Sequence, residues 1–131
     1  MKTEFEITDN ILIAKLSGEI DHHEAADIRS DIDGTYAAFK KKHIIMDFSG
    51  VSFVDSSGIG VIMGRYKKTA ENGGITAICG CSEYLRSILY MAGIFTIVKE
   101  AKNKEDAVKL VKRLEAAESG EIFQEEKEAE S

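Results

Sequence analysis

Two periodicities take turns along this chain, and their regular exchange restricts the fold more than any other feature. Thr3 to Thr8 alternates, with Phe5 and Ile7 on one face. Asp9-Asn10 is a turn signal, and Ile11 to Leu16 continues as a strand that Ser17-Gly18 closes, so the chain opens on a hairpin. Ala25, Ile28, Ile32, Tyr36 and Phe39 then recur every three or four positions, the stripe of an amphipathic helix. Asp21 stands before it as an N-cap, with Glu24 three residues later as in a capping box. Ile44 to Phe48 is a nearly continuous apolar strand, followed by a loop over Ser49 to Val54. Ile59, Ile62, Met63, Tyr66 and Ala70 mark a second helix that ends at Asn72-Gly73-Gly74. Ile75 to Cys79 reads as a strand, Tyr84 to Ala92 as a third helix closed by Gly93, Ile94 to Val98 as a last strand, and Ala107 to Ala117 as a last helix.

The order β-β-α-β-α-β-α-β-α makes this an α/β chain. Strands separated by helices pair in parallel through right-handed crossovers, while the opening hairpin adds an antiparallel edge, so the sheet is mixed. At 131 residues the chain is one domain's worth and large enough to bury a core without a metal or disulfide. Residues 1–117 form the expected domain. Residues 118–131 hold six Glu against one Lys, with only Ile122 and Phe123 as sizeable apolar residues. Such a stretch has little burial to offset its ordering entropy, and a flexible acidic tail is expected.

Charge narrows the function. With 17 Lys+Arg against 23 Asp+Glu the net charge is -6, which argues against direct nucleic-acid binding by phosphate neutralisation. No apolar stretch approaches the 18 residues of a membrane span, and Met1 to Phe5 has no signal-peptide run. Cys79 and Cys81, separated only by Gly80, are poorly placed for a mutual disulfide, and a reducing cytoplasm is the expected location. His22, His23 and His43 have no recognised metal-ligand spacing and read as loop or cap residues. No dinucleotide or phosphate-loop glycine pattern is present, so neither metal nor cofactor is called for.

The polar run Asp55-Ser56-Ser57-Gly58 stands at the start of the second helix between Val54 and Ile59. Asp55 or Ser56 serves as an N-cap in the plainest reading. A sharper one makes a serine at the helix tip a phosphate acceptor, where about -1.5 to -2 charge would rewrite the surface without unfolding the domain. A serine hydrolase using Ser57, with His22 or His23 as base and Asp21 or Asp55 as orienter, is disfavoured because the Gly-x-Ser-x-Gly elbow is missing. Arg65, Lys67 and Lys68 are assigned to the exposed side of the second helix. Gly60 and Gly64 share a helix face that is either smooth for a partner or packed on the sheet.

Leu16-Ser17-Gly18-Glu19-Ile20-Asp21-His22-His23 and the run from Val51 through Asp55-Ser56-Ser57-Gly58-Ile59-Gly60 to Gly64-Arg65-Tyr66-Lys67 resemble the anti-sigma factor antagonists of the STAS-domain family, nearest its sporulation branch. The resemblance runs from about Phe5 to Leu114. It implies a mixed sheet with helices mainly on one face, and a regulator rather than an enzyme. It also implies a partner that is both anti-sigma factor and serine kinase, and a phosphoserine phosphatase that reverses the modification. Ser57 falls on the family's phosphorylated serine, and Asp21 and Asp55 on its kinase-facing aspartates. Ser56, Gly58, Ile59 and Gly60 complete the partner-binding set the resemblance implies. A scaffold subunit of a stress-signalling complex is the alternative role. The acidic extension after Glu118 departs from the family pattern.

Overall fold

The computed structural model describes residues 3–118 and 120. The elements are β1 (Glu4–Thr8), β2 (Ile11–Ile20), α1 (Ala25–Ala38), β3 (His43–Val54), α2 (Ser56–Glu71), β4 (Thr76–Cys79), α3 (Glu83–Met91), a 3-10 turn (Ile94–Thr96), β5 (Lys99–Ala101) and α4 (Lys104–Glu118). The expected flexible tail lies outside the described residues apart from Glu118 and Gly120.

The strands lie side by side in chain order, β1-β2-β3-β4-β5. β1 and β2 pair antiparallel and the remaining pairs are parallel. Because each crossover steps in the same direction across the sheet, right-handedness sends α1, α2 and α3 to one face. The strands obey their period of two. Leu12, Ala14, Leu16, Ile44, Met46, Phe48 and Ile78 point into the larger core under α1, α2 and α3. Ile11, Ile13, Ile45, Ala77 and Cys79 point the other way, where Ala107 and Val111 of α4 cover them. α4 is also held to the hairpin by Lys112 to Asp9 at 2.6 Å and Lys104 to Glu6 at 3.0 Å.

Three boundaries differ from the sequence expectation. Ser17-Gly18 does not end β2, and Ser49 to Val54 is not a loop. Both strands run on together, Ser17 beside Gly50, Gly18 beside Val51, Glu19 beside Phe53 and Ile20 beside Val54, past register shifts that break the alternation. Gly18, with φ +81°, takes a backbone conformation that a side chain would strain. β4, by contrast, ends opposite Asp47, so β2 and β3 continue beyond it as a two-stranded ribbon. The third difference is the apolar run Ile94 to Val98. It curls into the 3-10 turn, buries Ile94 and Val98, and leaves the short Lys99–Ala101 to form the edge strand.

Candidate functional site

The ribbon of β2 and β3 ends at two adjacent connections: the turn Asp21–Glu24 that leads to α1, and Asp55, which opens α2. The Asp55 amide donates to the carbonyl of Ile20 across the ribbon at 3.2 Å, tying the two together.

Asp55 is the N-cap of α2. Its backbone is extended, and its Oδ1 accepts from the amides of Ser57 at 2.8 Å and Gly58 at 3.2 Å. These are two of the donors that a helix start leaves unpaired. The cap is therefore Asp55 and not Ser56. Ser56 is exposed, Ser57 is half-buried, and no hydrogen bond ties the Ser57 hydroxyl to either histidine among the described residues. The helix dipole favours negative charge at this tip.

Gly58 is buried, and geometry explains the residue type. A Cβ there would lie 2.6 Å from Val54 Cγ1 and 2.7 Å from the Ile20 carbonyl oxygen, so only glycine lets α2 start this close to the ribbon. Ile59 is half-buried and packs against the main core. Gly60 is exposed, and neither it nor Gly64 has an atom within 4 Å of a built Cβ. The second of the two readings of that glycine pair, tight packing on the sheet, is excluded, and the low outer surface of α2 faces solvent.

Asp21 sits beside this tip but does not cap α1 directly. Its Oδ1 accepts from the amides of His23 at 3.0 Å and Glu24 at 3.2 Å, closing a turn ahead of the helix. The N-cap position itself belongs to Glu24, which makes no side-chain cap bond. The expected cap at Asp21 thus becomes a turn that precedes the N-cap of α1 by three residues. It still fixes the direction in which His22 and His23 project. Both are exposed, their rings lie 3.9 Å apart, and His22 Nδ1 is 4.0 Å from Asp55 Oδ2. In the sequence His22 and Asp55 stand 33 positions apart, and only the disfavoured hydrolase reading put them together.

Two further side chains depart from expectation. Arg65 is not on the exposed side of α2 but buried, with Nε 2.9 Å from Asp33 Oδ1 of α1. The approach is poorly aligned for a hydrogen bond, and Arg65 Nη1 lacks a partner as well. Burial pushes the guanidinium pKa down and Asp33 opposes it. Lys68 reaches the other Asp33 oxygen at 3.6 Å. The signal was present: Val61, Arg65 and Thr69 are spaced by four, and Val61 and Thr69 are buried. His43, in turn, is no loop residue but the buried first residue of β3. Its Nδ1 accepts from the Ile75 amide at 2.9 Å, and its Nε2 faces Glu115 Oε2 at 3.3 Å. Asn10 donates to the other Glu115 oxygen at 2.8 Å. Cys79 is buried as a core residue, and desolvation pushes the thiols of Cys79 and Cys81 up to about 12.

Three surface depressions among the described residues, of about 280, 280 and 440 Å³, are lined by Cys81 and Arg86, by Lys15 and Asp47, and by Tyr90 and Met91, among others, and these three do not include residues 55–60. The arrangement at the α2 tip presents a serine pair on a capped helix end, with Asp21, His22 and His23 flanking it. Among the described residues, no helix is long and apolar enough to cross a membrane, and no group of three or more His, Cys, Asp or Glu could hold a metal ion.

The STAS domain model matches residues 2–128. An anti-sigma F factor antagonist of Paenibacillus polymyxa is 35% identical over 108 residues, which are 82% of this chain and 92% of the relative. Among solved structures, the anti-sigma factor antagonist SpoIIAA in its unphosphorylated form superimposes with a TM-score of 0.68 at 26% identity, covering 85% of this chain and 98% of that one. The Bacillus cell fate determinant SpoIIAA in the phosphorylated form gives 0.66 at 29% identity, covering 84% and 99%.

Proposed function

The chain belongs to the STAS-domain family of anti-sigma factor antagonists, and on that footing we propose that it is a binding switch whose state is written on Ser57. In its unphosphorylated form it binds an anti-sigma factor and so frees a sigma factor. The anti-sigma factor is also a serine kinase, which transfers the γ-phosphoryl of ATP to the Ser57 hydroxyl and thereby ends the interaction. A phosphoserine phosphatase restores the binding form. The antagonist supplies an acceptor hydroxyl and a shaped surface, while the kinase supplies nucleotide, Mg²⁺ and base.

The observation that carries this reading is the division of labour at the α2 tip. Asp55 takes over the capping role, with Oδ1 on the Ser57 and Gly58 amides. Neither serine side chain is then needed to start the helix. A phosphoryl group on Ser57 would meet the positive end of the helix dipole and leave the core untouched. It would also place about two negative charges on a surface fitted to a partner, where they cost binding through desolvation and misfit. Asp21, Asp55, Ser56, Ile59 and Gly60 form the surrounding contact surface, and buried Gly58 serves it by holding α2 against the ribbon.

The test is intact-mass spectrometry after incubation with the cognate anti-sigma kinase and Mg-ATP, beside a Ser57→Ala control. The expected result is a gain of one phosphate in the native chain alone. A kinase active on another antagonist but silent on this one would overturn the reading.

A further inference from the structure

We infer that the acidic stretch after α4 serves this chain's own surface: residues 121–131 turn back and dock, as a strap, on the cationic end of the molecule around Phe39 and Lys40 to Lys42. The inference is independent of the reading of Ser57.

The landing surface is built where α1 and α4 end beside the hairpin of β1 and β2. Lys41 Nζ donates to the Asp9 carbonyl at 2.8 Å, Lys112 Nζ reaches Asp9 Oδ2 at 2.6 Å, and Lys42 Nζ lies 3.7 Å from Glu115 Oε1. Lys40, Lys109 and Arg113 are exposed and make no ion pair among the described residues. These six cations stand beside three carboxylates of the hairpin and α4, namely Asp9, Glu115 and Glu118. An ammonium carries three donors, so Lys42 and Lys112, whose side chains are 41% and 49% exposed, have N–H groups left for a second carboxylate. Phe39, the C-cap of α1, adds an apolar point. Ile28, Ile32 and Tyr36 before it in the same stripe are buried, yet Phe39 is 56% exposed.

The sequence supplies the occupant. Residues 121–131 carry five Glu against one Lys, and their two large apolar residues, Ile122 and Phe123, come first after Glu121. Gly120, with φ +87°, donates its amide to the Ala117 carbonyl at 3.1 Å, and a left-handed glycine at this position takes the chain off the helix path. Glu115, which already touches Lys42, precedes Gly120 by only five residues. The following 11 residues reach at most about 36 Å when extended, ample for the landing surface. Single exposed ion pairs are worth little. A short tether, however, holds its end at an effective concentration of about 1 mM, so a contact with a dissociation constant of about 1 mM is occupied roughly half the time. A second copy at micromolar concentration does not compete with that. Lys42 and Asp55 flank opposite ends of β3, so the docked strap leaves the α2 tip open.

The test is zero-length carbodiimide coupling of the full chain, which joins a carboxylate to a lysine amine in contact, read by peptide mass spectrometry. An equal mixture of ¹⁵N-labelled and unlabelled protein separates links within one chain from links between copies. The pairs Lys112 with Asp9 and Lys104 with Glu6 are internal references for coupling and for an intact fold. The expected result is links from Glu125, Glu126, Glu128 or Glu130 to Lys40, Lys41 or Lys42, within one chain. They should fall at least threefold in 0.5 M NaCl, where screening shortens the reach of charge. They should fall likewise in Phe39→Ser, in Phe123→Ser and in Arg113→Gln, none of which removes a coupling group. Mixed-isotope links would overturn the strap in favour of a second copy. Links spread evenly over Lys15, Lys67 and Lys102, or indifferent to salt and to all three variants, would show an undocked chain end and overturn it. So would the absence of these links while the reference pairs couple.

Discussion

Asp55 Oδ1 lies 2.8 Å from the amide nitrogen of Ser57, so the residue that starts α2 also orients the residue proposed to carry the phosphate. Stability and recognition can be separated at this cap. Asp55→Ala is expected to cost about 1 kcal/mol, whereas Asp55→Asn, itself a good cap, costs a few tenths. Urea denaturation reads both. The phosphorylation rate and kinase affinity of the alanine variant should fall as well, and if they match the native chain, Asp55 is a cap and nothing more.

Gly58 and Gly60, two positions apart, should respond with opposite signs. Gly58→Ala drives a Cβ to 2.6 Å from Val54 Cγ1 and 2.7 Å from the Ile20 carbonyl, so a loss of about 1–3 kcal/mol is expected. Gly60→Ala meets open space within a helix and should gain about 0.5–1 kcal/mol. Thermal unfolding of the two variants checks the pair. A Gly60→Ala chain that is more stable yet binds the anti-sigma factor less well would place the partner on this bare face of α2.

Ser57→Asp should fold as the native chain does, because Ser57 is only half-buried and stands at a helix N-terminus that favours negative charge. Its affinity for the anti-sigma factor should drop at least tenfold, measured by calorimetry. Loss of the far-UV circular dichroism signal would instead make Ser57 a structural residue.

Acid should weaken the fold in two steps, both set by the contact between β3 and α4. Burial holds His43 below its ordinary value of 6.5, and its Nδ1 already accepts the Ile75 amide, so protonation there breaks a bond. The unfolded chain therefore gains the proton first. The stability from neutral His43 is complete above pH 6.5 and is lost as pH falls below it. Glu115 is raised by desolvation, but contacts with Asn10, His43 and Lys42 outweigh that and hold it below 4.5, so its contribution is lost below that pH. Denaturant midpoints taken from pH 8 to pH 4 should decline from near pH 6.5 downward. A His43→Gln variant should lose the upper part of that decline.

Asp33→Ala removes the counter-charge of a guanidinium whose side chain is only 5% exposed. A loss of about 3 kcal/mol is expected, because the cation remains buried without a partner. Arg65→Met fills similar space without the charge and should cost far less. Equal losses in the two variants would mean that the side chain acts through its packing and not through the ion pair.

Much of the fold was legible because its determinants are local. The strand alternation at Leu12, Ala14 and Leu16, the helical spacing of Ile28, Ile32 and Tyr36, the cap at Asp55 and the stop at Gly73 each involve residues within a few positions of one another. Period and capping are properties of short stretches of backbone, and right-handed crossovers turn their order into a sheet with three helices on one face. The serine pair on a helix tip was readable in the same way. What the tertiary structure alone decided is who meets whom across the chain. The register shifts between β2 and β3 turned an apparent loop into a ribbon that carries both connections of the site. Burial of Arg65 was set by Asp33 on a neighbouring helix, and that of His43 by Glu115 on the far face of the sheet. The approach of His22 to Asp55 exists only because two strands end side by side. Such contacts depend on how whole elements pack, which no spacing within one element encodes.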